Sequence, residues 1–589
     1  MTRRRWIPAA LIAALMCASS SAVCTNTLVA QTAGSEPVVR YGGIPKEVSR
    51  GVADVWNNSA TKRARGAYTL AANDTVRGDV AVLDGPAKIG GVITGRLIAI
   101  NADVALDSTA RVGGDITVVG GEFVQRTGSA VIGQVAVWRS RLRYSETADH
   151  IEPSEREVRT GWQKWRRWPG DNDLQGSWGE LYVASAHTYN RVEGLPLIIG
   201  PRLRTRHGDT RVTVEAFGIF RTGDKLSWEP ANLGHSVRAE IRQGNTFAYA
   251  LGARLFDEVV PVERWTLTDD EIGLASALFT RDFRDYYQHH GGEGYGALYG
   301  PLGTSLKLAV GRERWGSLAA RDPWSLINNG DKWRINPAAD AGVMNLVTLV
   351  GHLDTRNNDS RPRSGWFLDA QYERGTGDLV RVAPTTFDTR NTVPGNLTYA
   401  RAFVDLRRYN RLAPNTQFNV RLVAGGVLAG DPLPAERRLS VSGADALPGY
   451  DFRAKVGDVD VGTCSSGSDA AYTALGRPAE CDRMVLLQAE WKNDFQVSLV
   501  GDSDNRSAFA RRLHAEGQWV LFMDSGRGWL VGAGNDKLHY GKTELPALRT
   551  FRTDLGAGLD FGNFGVYIAQ SVSDTELKPN VFIRLGRRF

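Results

Sequence analysis

The chain holds 589 residues, 42% of them hydrophobic and 23% charged, and its 71 Lys and Arg exceed its 65 Asp and Glu by only six. That length calls for two or more domains, 4 Cys are too few for a disulfide-built miniature, and a small charge excess without basic runs excludes nucleic acid as a partner. The 65 Gly beside 16 Trp, 17 Tyr and 20 Phe favour short aromatic-rich strands and turns over helices, so the expected fold class is all-β.

Residues 1–30 read as a secretory signal peptide, because Arg3, Arg4 and Arg5 precede an apolar stretch from Trp6 to Ala18 and small residues follow. Cleavage is expected after Ala30, with Ala22 as the alternative. A lipoprotein would need a small residue before its cysteine, and neither Met16 before Cys17 nor Val23 before Cys24 supplies one. Beyond this point no run of 18 apolar residues occurs, so no transmembrane helix is expected and strands remain the means of crossing a bilayer.

After an N-terminal segment at 31–74, residues 75–138 carry a repeat of Gly-x-apolar-x-apolar: Gly78 with Val80 and Val82, Gly95 with Leu97 and Ala99, Gly114 with Ile116 and Val118, Gly133 with Val135 and Val137. Spacings of 17, 19 and 19 residues suit one turn of a β-solenoid, in which small apolar residues point inward and Gly, Asn or Asp take the corners. The repeat resembles the bactofilin-type, polymer-forming β-helix. A scaffold or partner platform and a folded cap on the larger domain are both consistent with it. Residues 139–188 form a charged linker in which Trp162, Trp165 and Trp168 recur three apart among Lys164, Arg166 and Arg167. A helix there would line the rings along one side, either against a membrane surface or against protein.

From 189 to 589 the chain alternates apolar and polar residues in sixteen segments, beginning near 190, 210, 235, 246, 272, 286, 303, 345, 364, 398, 414, 483, 513, 551, 563 and 579. In the segment near 551, Leu555, Ala557, Leu559 and Phe561 interleave with Asp554, Gly556, Gly558 and Asp560. An even strand count behind a signal peptide fits a 16-stranded transmembrane antiparallel β-barrel with Leu555 and Leu559 toward lipid and Gly556 and Asp560 toward the lumen. Both termini of such a barrel share one side, which places the solenoid in the periplasm of an outer-membrane protein.

Phe522-Met523-Asp524-Ser525-Gly526 falls on the thirteenth segment, and Leu447-Pro448-Gly449-Tyr450-Asp451-Phe452 lies in the long loop between the eleventh and twelfth. On these motifs the region 189–589 resembles the BamA/TamA-type outer-membrane assembly factors, the bacterial surface-antigen superfamily: the first segment matches the family's Phe-x-Asp-x-Gly strand motif in full, and the second is similar to its aliphatic-Arg-Gly-aromatic loop motif. Asp354-Thr355-Arg356 with Pro362 and Gly365 is similar to the family's hairpin signature, Glu490 to its strand-twelve acid, and Val581 to Phe589 to the insertion signal of barrel clients. The resemblance implies that the loop motif lies inside the barrel, where its Arg pairs with the strand-motif Asp. Here Pro448 replaces that Arg, so Asp524 needs another partner, either Arg453 or the main-chain N–H groups around Gly449. The family's periplasmic POTRA modules are also replaced, by the solenoid.

Cys464 and Cys481 lie in the same loop and are expected to form a disulfide in an oxidising compartment; with no adjacent His, metal binding is not expected. His289 and His290 are neighbours on a strand and point to opposite faces, which opposes chelation of one ion. No Gly-x-Ser-x-Gly elbow, phosphate loop or His-Glu-x-x-His occurs, so neither enzyme nor cofactor is expected. The leading reading is a barrel that inserts, translocates or remodels at the outer membrane, with lipids, barrel precursors or periplasmic proteins as partners. A passive pore lined by Arg238, Glu240 and Lys307, and an anchor for a periplasmic lattice, are the alternatives.

Overall fold

A computed structural model describes residues 38–40, 44–138, 142, 144–147 and 150–153, and 176–589 apart from 224–227, 245–246, 301–302, 328–331, 357–361, 383–391, 414–415, 442–444, 451–453, 457–458, 462–463, 465–479, 499–513, 533–537, 563 and 575–576. The signal peptide and the Trp162, Trp165 and Trp168 stretch lie outside the described residues.

The N-terminal domain is a three-sided parallel coil. One side stacks Lys62–Arg65, Val80–Leu83, Leu97–Ile100, Ile116–Val119 and Val135–Trp138, and the other two stack four short strands each. The coil thus begins at Lys62, ahead of the repeat seen from Thr75, because its first rung is charged on the outside and hides the pattern. Every inward residue of the repeat, Val80 and Val82 through Val135 and Val137, is in one buried core. The first side is apolar on its outer face too. Ala81, Leu83, Ile98, Ile100 and Val119 are covered by helix α1 (Lys46–Asn57) through Val52, Ala53, Val55 and Trp56. One end of this side is occupied by Val38–Arg40, which pairs in parallel with Val135–Trp138.

The second domain is a rolled antiparallel sheet of sixteen strands: β1 (Gly176–Ser185), β2 (Leu197–His207), β3 (Thr210–Phe220), β4 (Leu233–Gly244), β5 (Ala248–Pro261), β6 (Tyr286–Tyr299), β7 (Ser305–Ser317), β8 (Ala341–Asp354), β9 (Gly365–Val382), β10 (Thr392–Ala413), β11 (Thr416–Gly430), β12 (Arg483–Ser498), β13 (His514–Val531), β14 (Arg552–Asp560), β15 (Gly565–Ser571) and β16 (Asn580–Arg584). A two-residue strand, His539–Tyr540, adds to the end of β13. Strands alternate in burial: on β14, Asp554 and Asp560 are buried while Leu555 is half exposed, as the alternation in sequence requires. Among the described residues no helix is long and apolar enough to cross a membrane.

Sixteen strands were expected, but not this set. The first strand begins at Gly176, inside the stretch read as linker, and the segment near 272 is helix α2 (Asp269–Phe279). Local chemistry decides the helix: Thr268 accepts a hydrogen bond from the Glu271 N–H at 3.3 Å while the Glu271 carboxylate accepts from the Thr268 N–H at 2.9 Å, a capping box with three acids in the first turn. One missed strand and one false one cancelled, which left the strand motif on strand thirteen. The hairpins at 207–210, 244–248, 413–416 and 560–565 lie at one end of the sheet. At the turn end, Arg411 of β10 forms a 3.0 Å ion pair with Asp103 of the coil, both side chains nearly buried.

Candidate functional site

The ladder register carries one row of inward residues across six strands: Arg407 opposite Arg421, then Gln488, Asp524, Asp554 and Ser571. Such a row places like charges side by side, and the lumen compensates with partners from elsewhere in the chain. Arg421 grips Asp405 with two hydrogen bonds of 3.0 and 2.9 Å, and its remaining nitrogen reaches Gln488 at 3.2 Å. Gln488 donates to the Asp524 carboxylate at 3.2 Å. Asp524, with no exposed surface, is ion-paired to Arg588.

Arg588 comes from the last five residues, which leave the sheet after Arg584. Gly586, at φ +102°, takes the turn that only glycine adopts without strain, and Arg588 and Phe589 are buried. The Arg588 guanidinium lies 3.7 Å from the centroid of the Phe522 ring, and Phe522 belongs to an aromatic group with Tyr567 and Phe582. These rings need bare backbone beneath them: a Cβ on Gly556 would sit 2.1 Å from Phe522 and one on Gly558 2.2 Å from Tyr567. Val581 and Ile583 of β16 face outward and are exposed.

The loop motif is inside the barrel. Leu447 and Tyr450 are buried among Val423, Val441, Met484 and Leu486. The Gly449 N–H donates to the Asp554 carboxylate at 2.7 Å, and the Pro448 carbonyl accepts from Asn580 at 3.2 Å. The main-chain donor foreseen for Asp524 thus serves its neighbour on β14. Asp451, Phe452 and Arg453 lie outside the described residues, and the ion-pair partner of Asp524 among those described is Arg588, which belongs to neither motif. A hint lay in the sequence, since Arg584, Arg587 and Arg588 crowd a stretch read only as an insertion signal.

Below this row Glu490, the strand-twelve acid, binds Lys492 at 2.9 Å and accepts from Asn419 at 2.8 Å. Gly526 closes the strand motif beside Val441 and Leu486. Asp354 and Arg356 of the hairpin signature pair at 2.8 Å. Cys464 and Cys481 are joined and buried against Leu530 and Leu538. His289 pairs with Glu313 at 2.9 Å while His290 is half exposed near Asp257. The expected pore-lining residues are tied to one another: Arg238 to Glu240 and Tyr295, and Lys307 to Glu293 at 3.0 Å. The long β5–β6 connection also enters the lumen, where the Trp265 carbonyl accepts from Arg421 at 3.2 Å.

The sheet order runs from β1 to β16 without a pairing between those two among the described residues, and β16 is five residues long.

No family model and no curated protein matches the sequence. Among solved structures the chain is similar to BamA from Haemophilus ducreyi lacking POTRA domains 1–3, at 12% identity, covering 69% of each chain with a TM-score of 0.36. It is also similar to CdiB from Acinetobacter baumannii (10% identity, 69% of this chain and 64% of that one, TM-score 0.26) and CdiB from Escherichia coli (12%, 71% and 65%, 0.27). The chain therefore spans less than two thirds of either CdiB.

Proposed function

We infer that this protein is an outer-membrane barrel of the BamA/TamA type that admits β-strand clients, barrel precursors above all, through the seam between β1 and β16, with its coil on the periplasmic side. The observation that carries this reading is the seam: among the described residues no pairing joins β1 to β16, and both sheet edges lie beside an apolar outer face, an arrangement that an incoming strand can extend. A lumen occupied by the 447–450 turn, the α2 connection and the inturned last residues supports it over a passive pore. The coil end covered by Val38–Arg40, and the charged Lys62–Arg65 edge at the other, oppose end-to-end growth of a lattice.

A photoreactive residue at Leu181, exposed on β1, tests the reading in living cells. Recovery of newly made barrel proteins bound to that position is expected. A steady ohmic conductance in planar bilayers with no such adduct would overturn it in favour of a pore.

A further inference from the structure

Among the described residues no ladder pairs β1 with β16, yet the two are joined from within. Glu271, in the first turn of α2, accepts hydrogen bonds from Arg584 Nε at 2.5 Å and Nη2 at 3.2 Å and from the Leu585 N–H at 3.0 Å, so this carboxylate holds both the side chain and the backbone at the end of β16. The other guanidinium nitrogen of Arg584 binds Asp445 of the inturned loop at 2.7 Å. On its opposite side, α2 meets the segment that follows β1: the Thr188 hydroxyl donates to the Asp269 carbonyl at 2.7 Å. Packing there leaves no space, since a Cβ on Gly273 would lie 2.0 Å from Thr188 Oγ1 and 3.3 Å from its Cβ. Glu271, Ile272, Thr188 and Arg584 are all buried.

We propose that α2 is an internal clasp across the seam, so that parting of β1 from β16 is governed by release of the Glu271–Arg584 contact rather than by strand-to-strand hydrogen bonds. This rests on the seam reading above and adds how that seam is regulated. The same carboxylate that caps α2 holds β16, so the helix cannot begin in place without drawing the last strand to it. Unclasping therefore frees the helix start, the β16 end and the post-β1 segment as one unit.

Two variants test the clasp by hydrogen exchange on the purified full chain in detergent. Glu271→Gln keeps the shape and loses the charge. It is expected to speed exchange in α2 and at β16 together by roughly tenfold, the factor that goes with losing one charge-assisted hydrogen bond, with β11 and β12 unchanged. Faster exchange in α2 alone would overturn the clasp. The second variant, Thr188→Cys with Gly273→Cys, places two Cβ atoms close to disulfide range. Oxidised, it is expected to slow exchange at β16 as well as at α2, and reduction should reverse this, with the unsubstituted protein under the same reductant as control. Slowing confined to residues beside the new disulfide would overturn the proposal. Insertion of a small purified eight-stranded barrel precursor into vesicles provides the functional arm, which the oxidised staple should block and reduction restore. If the unsubstituted protein fails to insert the precursor, the insertion reading fails, while the exchange results still decide the clasp.

Discussion

Removal of Arg588 isolates the carboxylate at the centre of the lumen. In the folded protein Asp524 has its charge met by Arg588, whose side chain is 2% exposed, and one further hydrogen bond from Gln488 at 3.2 Å. Arg588→Ala leaves a buried, unpaired carboxylate beside Glu490 and also loses the guanidinium stacked 3.7 Å from the Phe522 ring centroid. Breaking a buried pair from one side costs about 3–5 kcal/mol, and a desolvated cation over an aromatic face contributes roughly 2 kcal/mol more. Asp524→Ala strands the arginine instead, but Glu490, 4.0 Å away, remains to receive it, so this loss is the smaller of the two. The double variant should be little worse than Arg588→Ala, leaving an interaction energy well above the ~0.5 kcal/mol scatter of independent sites. Urea midpoints followed by tryptophan fluorescence in lipid vesicles, with slopes unchanged, measure all three. Additive losses, or a coupling of Asp524 to Arg453 in place of Arg588, would refute the pairing.

Three further outcomes follow from the same lumen and surface. Gly449→Ala should expel the loop turn, because its Cβ would lie 2.7 Å from the Asp554 Cβ and 2.8 Å from the Ser571 nitrogen; protease should then cut the 431–482 loop, and an uncut loop would show that the turn is held otherwise. On β7, Leu308→Arg places a charge on the exposed outer face at a cost of about 2–4 kcal/mol near a bilayer midplane, whereas Lys307→Gln removes a partly solvated pair with Glu293 and a cation 4.2 Å from the Tyr295 ring centroid. Heat-modifiable folded barrel should fall sharply for the first and little for the second, and equal effects would reverse the facing. In the loop, burial, and after it the Asp340 carboxylate, raises the Glu436 carboxyl well above its ordinary range despite the neighbouring Arg437. The docked loop thus holds a proton that the released loop gives up, so docking is strongest in acid and weakens as pH rises through the raised value. Glu436→Gln should abolish that dependence and tighten the loop at neutral pH, as read by protease protection across a pH series.

Alternation with period two is a local property, and it alone assigned the faces of β14: Leu555 outward, Asp554 and Asp560 inward. The rungs of the coil were legible for the same reason, since inward Val80, Val82 and their equivalents repeat at a fixed spacing. The place of Asp524 on strand thirteen was not legible in the same way: the segment count reached it only because the strand at 176–185, read as linker, and the helix at 269–279, read as strand, offset one another. What lies beyond the sequence is set by contacts between distant residues, whose energy no local pattern records. The helix at 269–279 shows the boundary: its apolar residues also fit a strand, and the Thr268–Glu271 capping box settles the start, yet its place in the lumen depends on Arg584, 313 residues away from Glu271. The partner of Asp524 is likewise 64 residues on, brought inward by the bend at Gly586. A strand ladder fixes which residues face the lumen; which of those charges meet is decided only when loops and the last residues fill the space between them, because a buried charge takes whatever partner the closed fold brings within reach.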